Sequence, residues 1–286
     1  MPELPEVQTI VGELNEKIKS KTIKNVRVFK YKSVRPMNKK FVQSVKRRKI
    51  LGVVRRAKMI IINLSGGKHL LIHLKMTGQL VFRDRRGKGL SGGHPIAFKG
   101  ELPTKFTRVM FEFTDKSHLF FNDIRRFGWI KFADKKLYES EIAKYGLEPL
   151  SKEFTLAEFK NKLRRYPNRK IKQLLMDQTL IAGVGNIYAD EACFAARLLP
   201  ARPALKLKEK EIKDLFKAIP RILKLSISKK GTSADTYVTT SGAEGGMMKF
   251  LKVYGRAGEK CKRCGGVVHK IKLGGRGTHF CPGCQK

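Results

Sequence analysis

The chain opens with Met1-Pro2-Glu3-Leu4-Pro5-Glu6-Val7, and this stretch leads directly into apolar residues at helical spacing. Apolar side chains recur every three or four positions over residues 5–19, which predicts an amphipathic helix. These residues are Val7, Ile10, Val11, Leu14 and Ile18. An early proline most often simply begins a helix. A proline in second position also permits removal of Met1, which would expose a secondary amine.

Short apolar runs separated by turns follow this helix. The runs cover residues 23–31, 50–57, 59–64, 69–74, 108–114, 118–122 and 129–132. Their spacing predicts an antiparallel β-sandwich or barrel, because parallel βαβ units would need helices between the strands. Residues 84–105 are rich in Gly, Lys and Pro, which predicts a long exposed loop.

The pattern changes after about residue 134, where helical periodicity replaces the short runs. The predicted helices cover residues 140–145, 156–164, 171–176, 187–196 and 208–230. A Ser-, Thr- and Gly-rich loop is predicted over 233–246, and a short basic strand over 249–254. We therefore predict an α+β chain with three domains, a β-rich one at 1–133, a helical one at 134–246 and a metal module at 247–286.

The charge balance is strongly basic. The chain has 62 Lys and Arg against 24 Asp and Glu, a formal net charge of +38, and residues 17–83 contain no acidic residue. Such a charge is costly in a compact fold unless a polyanion neutralises it, and nucleic acid is the leading candidate. An anionic membrane surface, a ribosome, or a salt- or heat-adapted proteome would also account for the composition.

Four of the five cysteines form two pairs near the C-terminus, Cys261 with Cys264 and Cys281 with Cys284, separated by 16 residues. Two tight turns of this kind supply the four thiolates of a tetrahedral zinc site. Because four cysteines leave no open coordination position, the predicted zinc is structural. A pair of redox dithiols is the alternative, but the βαβ pattern that accompanies such motifs is missing.

Motifs along nearly the whole chain resemble the family of bacterial formamidopyrimidine-DNA glycosylases, in that family's order. The matching segments are 1–7, 55–58, 73–78, 122–128, 175–177 with 183–188, and 253–258 with 275–285. In the family they correspond to the N-terminal nucleophile, a lysine-bearing strand, two intercalation loops, a helix–two-turn–helix element and the zinc-finger end. The resemblance thus implies a β-sandwich with a leading helix, a helix–two-turn–helix domain and a zinc-finger β-hairpin.

The resemblance also implies a catalytic set. Pro2 would attack C1′ of the damaged nucleotide as a free α-amine, which is more often neutral near pH 7 than a lysine. Glu3 would transfer the proton, Lys58 would contact a phosphate or assist that transfer, and Arg276 would bind a neighbouring phosphate. Taken singly, Glu3 reads more simply as a helix-dipole partner and Lys58 as a solvated strand residue.

A further set of residues is assigned to DNA binding by the same resemblance. Met76, Arg125 and Phe127 match residues that fill the space left by the extruded nucleotide, although a Met and a Phe are more often core residues. Residues assigned to phosphate contacts or to support of the site are Lys172, Asn186 and Glu6. The sequence departs from the family at Gln8, often Glu there, and in the loops at 84–105 and 233–246, of which the second occupies the position of the lesion-capping loop.

The resemblance implies a monomeric glycosylase and abasic-site lyase acting on oxidised purines in duplex DNA, located in the cytoplasm with the nucleoid. An endonuclease VIII-like enzyme for oxidised pyrimidines and a non-catalytic nucleic-acid-binding relative remain as alternatives. No signal peptide, long apolar run or GxxxxGK motif occurs, so neither export, nor membrane insertion, nor a nucleoside triphosphate cofactor is expected.

Overall fold

A computed structural model describes residues 1–29, 34–94, 102–232 and 245–286. The chain forms two compact units, one of Met1–Ala143 with Lys229–Gly246 and one of Lys144–Ser228 with Met247–Lys286. The predicted division at 133/134 and 246/247 stays a prediction. Most of the predicted loop 233–246, namely 233–244, lies outside the described residues, as do residues 95–101 of the predicted loop 84–105. Among the described residues, no helix is long and apolar enough to cross a membrane.

The first unit begins with the predicted amphipathic helix, α1 (Leu4–Ile18). All five predicted apolar positions are buried, from Val7 to Ile18. Glu3 is the N-cap residue, and it forms a capping box in which the Glu3 N–H donates to Glu6 Oε2 at 2.9 Å. This reciprocal bonding satisfies backbone donors that a helix start leaves free, so it fixes where the helix begins.

In the described part of this unit, ten strands form two five-stranded sheets, which confirms the predicted antiparallel sandwich. One sheet has the order β1-β8-β9-β6-β7 and the other β2-β10-β5-β4-β3. The strands are β1 (Ile23–Val28), β2 (Val34–Arg35), β3 (Ile50–Arg56), β4 (Met59–Leu64), β5 (Lys68–His73), β6 (Gly78–Arg83), β7 (Gly89–Gly93), β8 (Thr107–Phe113), β9 (His118–Asp123) and β10 (Trp129–Ala133). Among the described strands, only β2 pairs in parallel, with β10. A single apolar core joins both sheets and α1.

Four elements of this unit were not predicted, namely β2, β6, β7 and α2. Strand β7 lies inside the segment 84–105 that was expected to be a loop, and that expectation is wrong for residues 89–93. Its glycines allow close pairing with β6, since a Cβ on Gly89 would lie 2.0 Å from the Phe82 carbonyl oxygen. Helix α2 (Asn38–Val45) buries Phe41 and Val45 completely, one turn apart, and two such positions are too weak a pattern to detect. Helix α3 (Lys135–Ile142) follows β10.

The second unit is helical and ends in a β-hairpin. Its helices are α4 (Leu156–Arg164), α5 (Ile171–Met176), α6 (Asn186–Ala195) and α7 (Glu209–Ser228), and the hairpin consists of β11 (His269–Leu273) and β12 (Arg276–Phe280). The strand predicted over 249–254 is wrong. A 3-10 turn covers Met247–Phe250, and the Glu191 carboxylate then accepts the backbone N–H groups of residues 252, 253 and 254 at 2.9–3.0 Å. Those donors are therefore not available to a sheet.

Candidate active site and nucleic-acid interface

The N-terminal residues of the predicted catalytic set are enclosed by the first unit. Pro2 is buried directly before α1, and Glu3 is only 4% exposed at the helix N-terminus. Glu6, also buried, receives the Glu3 N–H on one carboxylate oxygen and the Thr232 N–H on the other, at 2.8 Å. Glu6 is thereby committed to holding the backbone around Glu3, a supporting role that does not fit direct DNA contact.

Lys58 lies in the tight turn between β3 and β4 and is 5% exposed. Arg55 ties this turn to the start of α1, because its Nε donates to Gln8 Oε1 at 2.9 Å and its NH1 donates to the Ala57 carbonyl at 2.9 Å. The departure at Gln8 therefore serves a specific contact. The turn that carries Lys58 and the helix that follows Pro2 are joined through side chains.

His73, at the end of β5, lies close to Lys58. Burial, followed by the positive charges of Lys75 and Lys58, lowers the pKa of His73 to about 3. The ring is accordingly neutral at pH 7, and its Nδ1 accepts the Lys75 N–H at 3.0 Å. Two lysines beside a neutral imidazole form a positive region suited to a phosphate. His73 belongs to the matching segment 73–78, yet nothing in the sequence marked it as a site residue.

The two predicted intercalation loops leave the sandwich side by side. One joins β5 to β6 across residues 74–77, and the other joins β9 to β10 across residues 124–128. The adjoining strand ends are paired, Gly78 with Asp123 and His73 with Trp129. Because both loops cross between the same two sheets, the structure brings the predicted void-filling residues to one end of the first unit.

The side chains on these loops are not core residues. Phe127 is 53% exposed, Arg125 is exposed and Met76 is half-buried. The Arg125 guanidinium stacks over the Phe127 ring at 4.6 Å. An exposed aromatic ring covered by a guanidinium provides flat surfaces that can stack on bases. Met76 and Phe127 are therefore not buried as ordinary core residues would be.

In the second unit, Asn186 is the first residue of α6 and follows the glycines at 183 and 185. Gln178 holds this approach in place, since its Oε1 accepts the Gly183 N–H at 2.9 Å and its Nε2 donates to the Val184 carbonyl at 2.7 Å. Within the described residues, Asn186 Oδ1 has no hydrogen-bond partner. A helix N-terminus is suited to an anion through its backbone N–H groups, to which the Asn186 Nδ2 can add a donor, whereas Oδ1 is an acceptor.

Lys172 does not fit its predicted role in binding phosphate. Its side chain is 1% exposed and forms an ion pair with Asp190 Oδ1 at 2.6 Å. The ammonium also donates to the Gly277 carbonyl at 3.0 Å and to Thr278 Oγ1 at 2.8 Å. Three protein oxygens thus occupy its three donors. Lys172 instead connects α5 and α6 to the strand that begins with Arg276.

The four cysteines come together as the zinc prediction requires. All four Sγ atoms lie within 4.8 Å of one another, with Cys261–Cys284 at 3.8 Å and Cys264–Cys281 at 3.5 Å. Zinc–sulfur bonds of about 2.3 Å in a regular tetrahedron place the sulfurs about 3.8 Å apart, so the cluster fits Zn²⁺. The chain carries one structural zinc site.

Arg276 is exposed at the tip of the zinc-finger hairpin. Gly274 and Gly275, with φ of +55° and +75°, form the two-residue turn between β11 and β12. Positive φ at both positions is the requirement of a type I′ turn, which matches the twist of the strands. The turn therefore leaves Arg276 exposed to solvent, while the contacts of Lys172 described above hold the strand that follows.

Sequence reasoning missed the acids that hold this unit together. Asp190 is fully buried and accepts the His279 N–H at 2.8 Å, and the neighbouring Glu191 binds the backbone at residues 252–254. Burial raises the pKa of Glu191, against the lowering effect of those backbone N–H groups. Two consecutive acids within a helix of so basic a chain were the available signal.

Comparison with known proteins agrees with this architecture. Residues 1–130 match the model of the formamidopyrimidine-DNA glycosylase N-terminal domain, residues 145–238 match that of the formamidopyrimidine-DNA glycosylase H2TH domain, and residues 258–286 match the zinc finger found in FPG and IleRS. The three matches follow the order of the sandwich, the helices and the cysteine hairpin.

Full-length relatives carry the same name. Formamidopyrimidine-DNA glycosylase of Carboxydothermus hydrogenoformans is 41% identical over 287 residues, covering 100% of both chains, and that of Listeria monocytogenes is 40% identical over 291 residues, again covering 100% of both. Lactococcus lactis Fpg in complex with abasic-site DNA has a TM-score of 0.86 at 33% identity, over 99% of both chains. This chain belongs to the formamidopyrimidine-DNA glycosylase family.

Proposed function

We propose that this chain is a bifunctional DNA glycosylase and abasic-site lyase that removes oxidised purines, among them 8-oxoguanine and formamidopyrimidines, from damaged duplex DNA. The observation that carries the proposal is the buried Pro2–Glu3 pair at the N-terminus of α1. The family relatives support it, since Lactococcus lactis Fpg has been crystallised with abasic-site DNA and with DNA containing Fapy-dG. Such a substrate also implies a cytoplasmic location with the nucleoid.

Pro2 is the nucleophile in this proposal. After removal of Met1, the Pro2 nitrogen bonds to C1′ of the damaged nucleotide, and the bond from C1′ to the base breaks as the base leaves with a proton. The sugar ring opens to give an iminium. Loss of a proton from C2′ then expels the 3′ phosphate, a second elimination expels the 5′ phosphate, and water releases Pro2 from the sugar fragment.

Position favours this chemistry. Pro2 lies at the N-terminus of α1, directly beside Glu3. Glu3 is the proton-transfer group, and the departing base or the ring oxygen receives its proton. Glu6 holds the Glu3 backbone, and Lys58 with His73 supplies the phosphate-binding surface beside them.

DNA recognition is divided among three surfaces in this proposal. Met76, Arg125 and Phe127 occupy the space left when the damaged nucleotide leaves the stack. Asn186, at the start of α6, binds a phosphate near that nucleotide, and Arg276 binds a neighbouring phosphate from the zinc-finger hairpin. The zinc ion supports the hairpin and takes no part in the chemistry, because its four cysteine ligands leave no open position.

Borohydride trapping tests the nucleophile. Reduction during reaction with 8-oxoguanine duplex DNA should convert the iminium into a stable protein–DNA cross-link, and peptide mapping should place it on residue 2. A cross-link on Lys58 would overturn the assignment. Retaining Met1, for instance through Pro2→Leu, should abolish trapping, because the primary amine of Met1 would then lie one residue out of position.

Substrate duplexes separate the remaining alternatives. We expect excision of 8-oxoguanine and formamidopyrimidine to exceed excision of thymine glycol. Preference for thymine glycol would indicate an enzyme for oxidised pyrimidines. Binding to all three duplexes without base release would indicate a non-catalytic relative.

A further inference from the structure

One buried carboxylate lies between the two loops that carry the predicted wedge residues. Asp123 is the last residue of β9, is 0% exposed and is paired in register with Gly78, where the first loop enters β6. It therefore occupies the point at which the loop of residues 74–77 ends and the loop of residues 124–128 begins. Neither sequence pattern nor the proposed chemistry assigns it a role.

Asp123 and Thr77 form a closed set of hydrogen bonds across both loops. The Thr77 hydroxyl donates to Asp123 Oδ1 at 2.5 Å and accepts the Arg125 N–H at 3.0 Å. The second carboxylate oxygen, Oδ2, accepts the Gly128 N–H at 2.7 Å. Thr77, the last residue of the first loop, is thus bonded to Arg125 near the start of the second loop. Gly128, at the end of the second loop, is bonded to the Asp123 carboxylate that also accepts the Thr77 hydroxyl.

These contacts leave little freedom at the tip of the second loop. Only residues 126 and 127 lie between the anchored N–H groups of Arg125 and Gly128, and Arg126 has a left-handed φ of +58°. A Cβ on Gly128 would lie 2.7 Å from the Phe121 ring and 3.0 Å from the His73 carbonyl oxygen. The backbone therefore turns sharply against the sandwich, and the Phe127 ring is held outward.

The neighbouring strand ends are also polar. Thr107 donates to Asn122 at 2.8 Å and Asn122 donates to Gln79 at 3.0 Å, all in buried positions. Buried polar groups add little net stability even when fully bonded, whereas apolar residues would pack the end of a sandwich well. A bonded network does, however, define one geometry.

We propose that Thr77 and Asp123 are positioning residues that join the two loops, so that Met76, Arg125 and Phe127 enter the duplex as one preassembled wedge. Ordering the loops before contact avoids losing their conformational entropy at the moment of insertion. The inference rests on the proposed function, because a wedge is required only when a nucleotide leaves the stack. Beyond that function, the inference assigns to Thr77 and Asp123 the physical link between the two loops.

Thr77→Val tests the link with minimal change in shape, because it removes both Thr77 hydrogen bonds and leaves Asp123 Oδ1 and the Arg125 N–H each without this partner. Unmade buried bonds of this kind should reduce wedge insertion by about 10- to 100-fold. The measurement is stopped-flow fluorescence of 2-aminopurine opposite the lesion, together with single-turnover excision of 8-oxoguanine from duplex DNA. Thr77→Ser keeps the hydroxyl and should restore both.

A buried hydroxyl outside the loops supplies the control. Thr107→Val likewise removes two hydrogen bonds, one donated to Asn122 and one accepted from the Thr104 N–H, without touching either loop, so it should lower stability to a similar degree and leave the fluorescence change intact. If Thr107→Val and Thr77→Val impair insertion equally, the effect is general destabilisation and the inference is overturned. Asp123→Asn, which cannot accept both donors, should reproduce the Thr77→Val defect.

Trapping on single-stranded abasic DNA separates this inference from the proposed function, because no base stack must be opened there. Thr77→Val should form the borohydride cross-link there as the unmodified chain does. Absence of a cross-link with the unmodified chain would contradict the proposed function alone. If the unmodified chain traps and excises normally, and Thr77→Val inserts its wedge and excises from duplex DNA as well as the unmodified chain does, the link between the loops is overturned. Loss of single-stranded trapping by Thr77→Val would overturn it too.

Discussion

The β-sandwich and the zinc-finger hairpin are stabilised in different ways. The sandwich has a continuous apolar core that extends across two sheets and α1. Within the residues that the structure describes, the cluster at the zinc finger contains five buried residues, Phe194, Val253, Cys261, Val268 and Cys281. A core of that size is too small to order a hairpin, so metal binding and buried ionic contacts replace it. Arg276 on the hairpin therefore depends on the metal and on buried ionic contacts, whereas the loops at residues 74–77 and 124–128 extend from a sandwich with a large apolar core and are joined to each other by hydrogen bonds.

Removal of the metal should have the largest effect. Zinc binding contributes about 10–16 kcal/mol to folding in zinc-finger peptides, so Cys261→Ser should unfold the hairpin. We expect loss of zinc by elemental analysis and loss of lesion-DNA affinity, while amide hydrogens of the sandwich keep their protection from exchange. Unchanged binding of lesion DNA by Cys261→Ser would show that the hairpin is dispensable.

Breaking the buried ion pair should have the next largest effect. Lys172→Met leaves the buried Asp190 side chain without its ion-pair partner, which typically costs about 3–5 kcal/mol. Chemical denaturation should show this loss in the second unit. The matched control is Lys210→Met at the exposed Lys210–Asp214 pair, where the loss should be within about 0.5 kcal/mol. Similar losses in the two variants would refute the buried role of Lys172.

A pH titration addresses the sandwich. His73 has a pKa of about 3 in the folded chain, mainly because of burial, against 6.5 for the free side chain. The unfolded chain therefore binds the proton first as the pH falls. Stability from this residue is present above pH 6.5 and decreases by up to about 1.4 kcal/mol per pH unit as the pH falls from 6.5 towards 3. Urea midpoints of His73→Gln should show a shallower decline, and parallel curves would contradict the prediction.

Arg276→Ala should have the smallest effect on the protein itself. The side chain is exposed, so stability and zinc content should not change. Loss of one phosphate contact should weaken DNA binding by about 1 kcal/mol and lower the slope of log affinity against log salt by about one. Fluorescence anisotropy at several salt concentrations measures both. An unchanged salt slope would remove Arg276 from the phosphate contacts.

Sequence patterns predicted those parts of the fold that depend on local periodicity. Helices α4 and α5 match their predicted bounds, and the four cysteines identify their site because the metal requires a fixed spacing. Strand β7 escaped prediction since its glycines pair through their backbone and show no alternation. The turn at Met247–Phe250 escaped because the acceptor for the following amides is Glu191, distant in sequence.

The residues of the candidate site could likewise be predicted where a short motif identifies them, and not where their contacts are distant in sequence. Pro2, Phe127 and the cysteines could be named from short motifs, and their burial or exposure suits the assigned roles. Lys172 could not be placed correctly, because its environment comes from Asp190 and a hairpin about a hundred residues away, as the contact to Thr278 with a separation of 106 shows. Asp123 was inside a matching segment, but its function depends on bonds to a different loop.

Helix α6 has a mechanical consequence for the second unit. Asn186 lies at its first turn, and Asp190 and Glu191 follow four and five residues later, a rise of about 6–8 Å along the axis. Asp190 accepts the His279 N–H of the hairpin, and Glu191 accepts backbone N–H groups of residues 252–254. The helix therefore connects Asn186 to both acids as one short rigid element. A force applied at Asn186 reaches the hairpin that presents Arg276 without passing through a flexible loop.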